Sequence, residues 1–282
     1  MFRYSTKDSF LILQTFVVFF LPIAMASYDP DFFWWILVLP LHVMLALSCS
    51  NTSVHHHVHW PTFNNKKLNS IYECFLSCVG MTSAQGYRNS HLIHHKFVND
   101  PPVSKDPISV LSKGQNNQAE NSWTFCFSWA IMRNLQPYKF LFDQKPAGVL
   151  IQTSQWRREM ISILIFIATI LFLNFKYGLW LCCVVYVVMH FLNAAWHYGE
   201  HWGAHDRRGD CSQDSVGIYS WWYNTFCFNS GLHQEHHYQP GVHWTQLDKL
   251  TSLLPADRVI VSGMHITNVP WAVDFKKLLF KL

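Results

Sequence analysis

The stretch IYECFLSCVGMTSAQG, residues 71–86, decides the topology of this chain. It is apolar enough to pass for a membrane crossing, yet it carries Glu73 near its start. Before it lies His55-His-His-Val-His59, and after it lies His91-Leu-Ile-His-His95. A single crossing here would leave the two histidine groups on opposite faces of a membrane, where they could not share a site. We therefore read the stretch as interfacial or re-entrant, with both groups on one face.

Composition brings the membrane into the argument. Half of the 282 residues are hydrophobic and 16% are aromatic, while only 13% are charged, outside ordinary soluble usage. Mean hydropathy is only slightly positive, so a sizeable polar part must lie outside the lipid. A formal net charge of +4 comes without a basic run or an RNA-binding motif, which argues against a nucleic-acid partner. The eight cysteines are scattered without a CxxC pair and are read as reduced, mostly buried thiols.

Four apolar runs are read as spans, at about residues 10–26, 32–50, 160–175 and 179–195. The first competes with a cleaved signal peptide, but it exceeds a usual h-region and leads through Tyr28-Asp-Pro-Asp31 directly into the second. Pro22 and Pro40 would kink these helices without forbidding them. The last two runs join through a short connection holding Lys176 and Gly178. Two hairpins return the chain to its starting side, so residues 51–159 and 196–282 share one compartment. Of 21 lysines and arginines only Lys176 falls in an outer connection, which makes the shared side cytoplasmic by the positive-inside rule. Acidic Asp29 and Asp31 in the other outer turn agree.

The expected fold is thus an all-α membrane protein, a single domain over residues 1–282, with two transmembrane helical hairpins and a cytoplasmic helical cap. Residues 121–132, rich in Trp and Phe, suit the lipid–water boundary or a soluble helix on the cap. Pro101-Pro102 and residues 113–118 read as loop. The tail from Pro255, with Lys276, Lys277 and Lys281, reads as a surface-lying helix or a packed tail.

The histidines give the cap its purpose. In His233-Gln-Glu-His-His237 positions i, i+3 and i+4 fall on one helical face, so three imidazoles converge. His91, His94 and His95 repeat that spacing, while His55 with His59, and His197 with His201, form i,i+4 pairs. Each group follows a span on its cytoplasmic side. His42 and His190 fall inside spans, where a buried histidine bonded to a neighbouring helix is the ordinary reading. A structural zinc takes four ligands and usually includes cysteine, so nine or more histidines suit two ions instead. Among imidazole-binding metals, iron is the one whose dioxygen chemistry needs open positions, although spacing alone does not name the metal.

The order His55xxxHis59, His91xxHisHis95, Asn193-Ala-Ala-Trp-His197 and His233xxHisHis237, set around two membrane hairpins, resembles the integral-membrane fatty acid desaturase and hydroxylase superfamily. The likeness covers residues 10–245. It implies two iron ions that, with dioxygen and electrons, remove hydrogen from an unactivated C–H bond of a lipid. Carried over by position, it implies the ligands His55, His59, His91, His94, His95, His197, His233, His236 and His237, with Asn193 acting through water. His56 or His57 is an alternative within the first box, and His201 and His205 continue the row from His197. His201 is read as a hydrogen-bonding neighbour of the ligands. Asp100, Asp106, Glu200 and Glu235 are candidates to orient imidazoles from behind, though Glu235 points off the ligand face.

Desaturation and hydroxylation share such a centre and part after the first hydrogen is removed. Asn193xxxHis197 resembles acyl desaturases; His197-Tyr-Gly resembles the alkane hydroxylase motif, but Trp196 stands where that motif has glutamate. Desaturation is therefore the preferred expectation, with lipid or alkane hydroxylation and carotenoid oxidation as alternatives. A metal transporter would carry its ligands along the spans, where only His42 and His190 lie. No heme, flavin or ferredoxin pattern is present, so a separate ferredoxin-, rubredoxin- or cytochrome b5-like donor is expected. Lys96, Lys105, Arg207 and Arg208 are candidates for its docking surface. The expected location is that of a multi-pass integral membrane protein, in the cell membrane (the inner membrane if the source is bacterial), with its site facing the cytoplasm.

Overall fold

A computed structural model of the chain describes residues 1–28, 31–98, 106, 108–111, 120–131, 153–201, 204, 210–258 and 260–261. The helices are α1 (Asp8–Tyr28), α2 (Phe32–Cys49), α3 (His55–His59), α4 (Lys66–Gly80), α5 (Ala84–Phe97), α6 (Ser122–Ile131), α7 (Thr153–Leu173), α8 (Phe175–Val184), α9 (His190–His201), α10 (Trp221–Phe226) and α11 (His233–Tyr238). A 3-10 stretch follows at Trp244–Leu253, and a two-residue parallel pair sets β1 (Gly217–Ile218) beside β2 (Ile260–Val261). The histidine candidate His205, with Asp100, Lys105, Arg207, Arg208, both expected loops and the tail beyond residue 261, lies outside the described residues.

Among the described residues, three stretches are long and apolar enough to cross a membrane: Asp8–Tyr28, Phe33–His59 and Phe175–His201. α7 covers the expected run at 160–175, but Arg157, Arg158 and Glu159 in its first turns make it too charged to join them by composition. The two 27-residue stretches are not uniform α-helix. A π turn at Ser50–Val54 joins α2 to α3, and another at Val185–Met189 joins α8 to α9. The extra residue in a π turn rotates the following side chains by roughly 100° relative to an unbroken helix. Each π turn immediately precedes a histidine-bearing segment.

Residues 71–86 hold a helix end and a helix start. α4 has 15 residues, about 22 Å, well short of a bilayer's apolar core of roughly 30 Å. It stops at Gly80, where Met81 takes a left-handed φ of 51°. The Met81 and Thr82 N–H groups donate back to the Cys78 and Ser77 carbonyls at 3.2 and 3.1 Å. α5 then opens with Ser83 Oγ accepting the Gly86 N–H at 3.0 Å.

The described chain forms two compact units. The first comprises Met1–Asn89 and Pro137–His190. In it α1 packs against α2, α4 and α7, with the Phe19 ring 4.9 Å from Phe75 and 4.8 Å from Phe166. A polar seam crosses this apolar packing. Gln14 Nε2 donates to Ser48 Oγ at 2.8 Å, while its oxygen accepts from the Thr52 and Ser53 hydroxyls at 3.0 Å each. Thr15 Oγ1 lies 2.9 Å from the Tyr72 hydroxyl. The same helices leave Leu13, Val17, Phe20, Leu37, Leu41 and Leu164 exposed, an apolar outer face suited to lipid. Between α7 and α8, Asn174 caps the new helix by accepting the Tyr177 N–H at 2.9 Å. A Cβ at Gly178 would stand 3.0 Å from the Leu171 backbone, so the tight turn leaves little room for a side chain there.

The second unit comprises Ser90–Gln136 and Phe191–Leu282. Its core gathers Val110, Phe125, Cys126, Ala194, Ala195 and Tyr198, with Trp129 and Phe191 packed against it. The Tyr198 hydroxyl donates to the Glu120 carbonyl at 2.6 Å, tying α9 to the segment that enters α6. All eight cysteines are free thiols.

Candidate metal centre

Within the second unit the histidines of α5, α9 and α11 form two groups of inward-facing imidazoles. His94, His201 and His237 form one. His91, His95 and His236 belong to the other. In each, the ligand-capable nitrogens lie within 4.8 Å of one another. On α5 the i,i+4 pair His91 and His95 serves one group, and His94, one residue earlier, is turned by about 100° to serve the other. On α11, His236 and His237 divide in the same way.

Hydrogen bonds behind His94 and His201 fix which nitrogen faces inward, and a carboxylate stands behind His237. His94 Nδ1 lies 2.9 Å from the buried Asp106 carboxylate, His201 Nδ1 donates to the Asp214 carbonyl at 3.0 Å, and His237 Nδ1 lies 3.2 Å from Asp214 Oδ1. A proton on each Nδ1 leaves the lone pair of each neutral ring on Nε2. The Nε2 atoms of His94 and His201 nevertheless stand only 3.0 Å apart. Two lone pairs at that distance repel unless a cation or an added proton sits between them. Burial, reinforced by His94 and His197, holds His201 well below the ordinary imidazole range, so an added proton is disfavoured there. Burial, then Asp210, pushes the Asp214 carboxyl up to about 7.

The spacing is that of ligands around one ion. Two nitrogens at about 2.0–2.1 Å from a metal, seen at about 90–110°, are roughly 2.9–3.4 Å apart. His201 Nε2 lies 3.0 Å from His94 Nε2 and 3.3 Å from His233 Nε2. In the other group, His95 Nε2 is 2.9 Å from His91 Nε2 and 3.0 Å from His236 Nε2. His237 Nε2 is buried with no hydrogen-bond partner among the described residues, as an atom reserved for a metal would be. The residues fit a metal at both places.

α11 presents its histidines through a rigid surround. Glu235 is fully buried and turned to the other side, where it accepts from the Tyr219 hydroxyl at 2.8 Å and the Thr251 hydroxyl at 2.7 Å. Gln234 Nε2 donates to the Ser212 carbonyl at 2.8 Å. Gly231 closes the entry to the helix: its N–H donates to Asn224 Oδ1 and its carbonyl accepts the Ile218 N–H. A Cβ there would come within 2.4 Å of the Ile218 oxygen, so nothing larger than glycine fits.

Not every expected ligand is in these groups. His197 Nε2 donates to the Ile108 carbonyl at 2.9 Å, and its ring packs 4.9 Å from His201 and 5.1 Å from His94. His201, one turn further along α9, supplies the inward nitrogen. Asn193 is half-buried earlier on α9. His233 Nδ1 lies 3.7 Å from Glu200, whose carboxylate accepts the Trp196 indole N–H at 2.9 Å. In the first unit, His55 and His59 stand one turn apart on α3 with ring centroids 5.3 Å apart. His42 and His190 are buried in that unit, outside either group.

Among the carboxylates, Asp106 and Glu200 sit behind histidines as the sequence suggested. Asp214 was not among the candidates. It follows Cys211-Ser-Gln in a segment without helical periodicity, and no spacing signal links it to His201 or His237.

Residues 32–259, well over half of the chain, match the family model described as Fatty acid desaturase. The chain belongs to the fatty acid desaturase family. A comparison with curated proteins finds no match. Membership makes this desaturase-family chain an oxidoreductase of lipid chains, and its imidazole groups and apolar helices fit a metal-using membrane protein.

Proposed function

We propose that this chain is a membrane di-iron oxidoreductase that uses dioxygen and externally supplied electrons to desaturate a fatty acyl or related lipid chain. The observation that supports it most directly is the His94–His201 pair, two buried ring nitrogens facing each other at 3.0 Å with both protons committed elsewhere. One ion is assigned to His94, His201, His233 and His237, and the other to His91, His95 and His236. By the order of the boxes, His55 and His59 are carried as further ligands of the centre. His197 is assigned a backing role and Asn193 a water-mediated one. Iron, when bound, would supply the dioxygen chemistry that breaks an unactivated C–H bond. The chain's own residues hold it: Asp106 and Asp214 keep protons on the outer nitrogens, and the buried surround excludes bulk water.

We assign four spans, with α7 as the third, and a site on the cytoplasmic side of a cell membrane, an orientation supported by the lysine and arginine distribution. Electrons come from a separate donor protein. Trp196, where the alkane hydroxylase motif has glutamate, favours desaturation over hydroxylation. The test is metal and lipid analysis of cells expressing the chain beside a His236→Ala variant. About two irons per chain and a new unsaturated lipid only with the intact chain support the proposal. A hydroxylated product would reassign the reaction, and zinc without iron would reject the centre.

A further inference from the structure

α3, the helix of the first histidine box, is the last five residues of the helical stretch Phe33–His59 and follows the π turn at Ser50–Val54. One of its histidines points away from the box. Two positions from both His55 and His59, His57 is turned by about 160–200° from their common face. The Thr62 N–H donates to His57 Nδ1 at 3.3 Å, and the Thr62 hydroxyl lies 2.9 Å from the same atom. An Nδ1 that accepts a backbone N–H leaves the ring proton on Nε2, and Nε2 faces Glu73 Oε1 at 3.6 Å. The Tyr72 ring stands edge-on to the imidazole at 5.1 Å.

Glu73 is itself held. Only 7% exposed, it accepts from Gln85 Nε2 at 3.2 Å through its other oxygen, and Arg88 lies 3.8 Å away. The Gln85 backbone N–H donates in turn to Glu159 Oε2 at 3.1 Å, and Glu159 also accepts from Ser83 Oγ at 2.5 Å and Gln155 Nε2 at 3.1 Å. A continuous buried polar line therefore runs from α7 through the start of α5 and α4 to α3. A carboxylate is costly to bury without such partners, and this one meets α3 at the ring opposite His55 and His59.

We propose that Glu73 is a positioning residue for the first histidine box and acts through His57. The inference rests on the di-iron reading of His55 and His59. The test uses the full-length chain and measures iron per chain and the rate of iron release to a chelator, with helix content and thermal unfolding followed alongside. Glu73→Leu and His57→Leu each speed release on the order of tenfold. The double variant is no worse than either single, because both break one connection. Glu73→Gln, which keeps an oxygen facing Nε2 but loses the charge, falls between wild type and Glu73→Leu. Should Glu73→Leu fail to fold, the Gln variant carries the test.

Multiplying effects in the double variant, or wild-type iron retention in the Glu73 variants, overturn the positioning role. A wild-type chain that binds no iron overturns the metal centre instead, so the two failures are distinct.

Discussion

His94 Nδ1 lies 2.9 Å from Asp106 Oδ2, and both side chains are buried. The carboxylate fixes the tautomer, turns the Nε2 lone pair inward and raises the ring's basicity as a ligand. Asp106→Ala is expected to lower iron affinity about 10–100-fold while leaving helix content unchanged, read by metal titration and circular dichroism. Asp106→Asn, whose side-chain oxygen can still accept the Nδ1 proton, retains more iron than the alanine variant.

Asp214 serves two rings, His201 through its carbonyl and His237 through its carboxylate. Only the second contact is lost in Asp214→Ala, so the expected loss of affinity is about tenfold. Full wild-type iron retention in this variant would remove Asp214 from the centre.

His197 and His201 separate by role. His201→Ala removes an inward nitrogen and is expected to cost one of two irons per chain, measured by elemental analysis. His197→Gln keeps a side-chain donor near the Ile108 carbonyl, and iron content stays near wild type. The reverse result would restore the box histidine as the ligand.

Gly231→Ala forces a methyl group against the Ile218 carbonyl, and either the turn or the start of α11 must shift. Overpacking of this kind costs about 1–3 kcal/mol. The expected outcome is a lower unfolding temperature together with reduced iron content, since His233 begins two residues later.

Burial pushes the Cys78 and Cys126 thiols up to about 12, so neither offers thiolate at neutral pH. Cys211 is exposed. A water-soluble maleimide is expected to label Cys211 in the folded chain and to reach Cys78 and Cys126 only after denaturation, read by mass spectrometry. Prompt labelling of Cys126 would contradict the core around Phe125.

Sequence by itself determined the helical membrane character and the internal spacing of the four boxes. Apolar runs follow from the requirement that a chain in lipid satisfy its own backbone, and i, i+3, i+4 histidines share a face because of helical geometry. Those constraints are local. The histidine groups at 55–59 and 91–95 likewise oppose a crossing at residues 71–86 and mark that stretch as interfacial or re-entrant.

Only the tertiary structure decided which imidazoles meet. Adjacent histidines such as His94 and His95 differ by about 100° in direction, and the partner each finds depends on the packing of α5, α9 and α11. It also set His201 in one group with His94 and His237, and placed the His197 ring nitrogen 2.9 Å from the Ile108 carbonyl. Asp214 entered from a segment with no periodic signal, and His57 stands against Thr62 and Glu73. A proton's place on a ring is set by whatever atom stands behind it, and for His201 and His237 that atom lies in a segment distant in sequence.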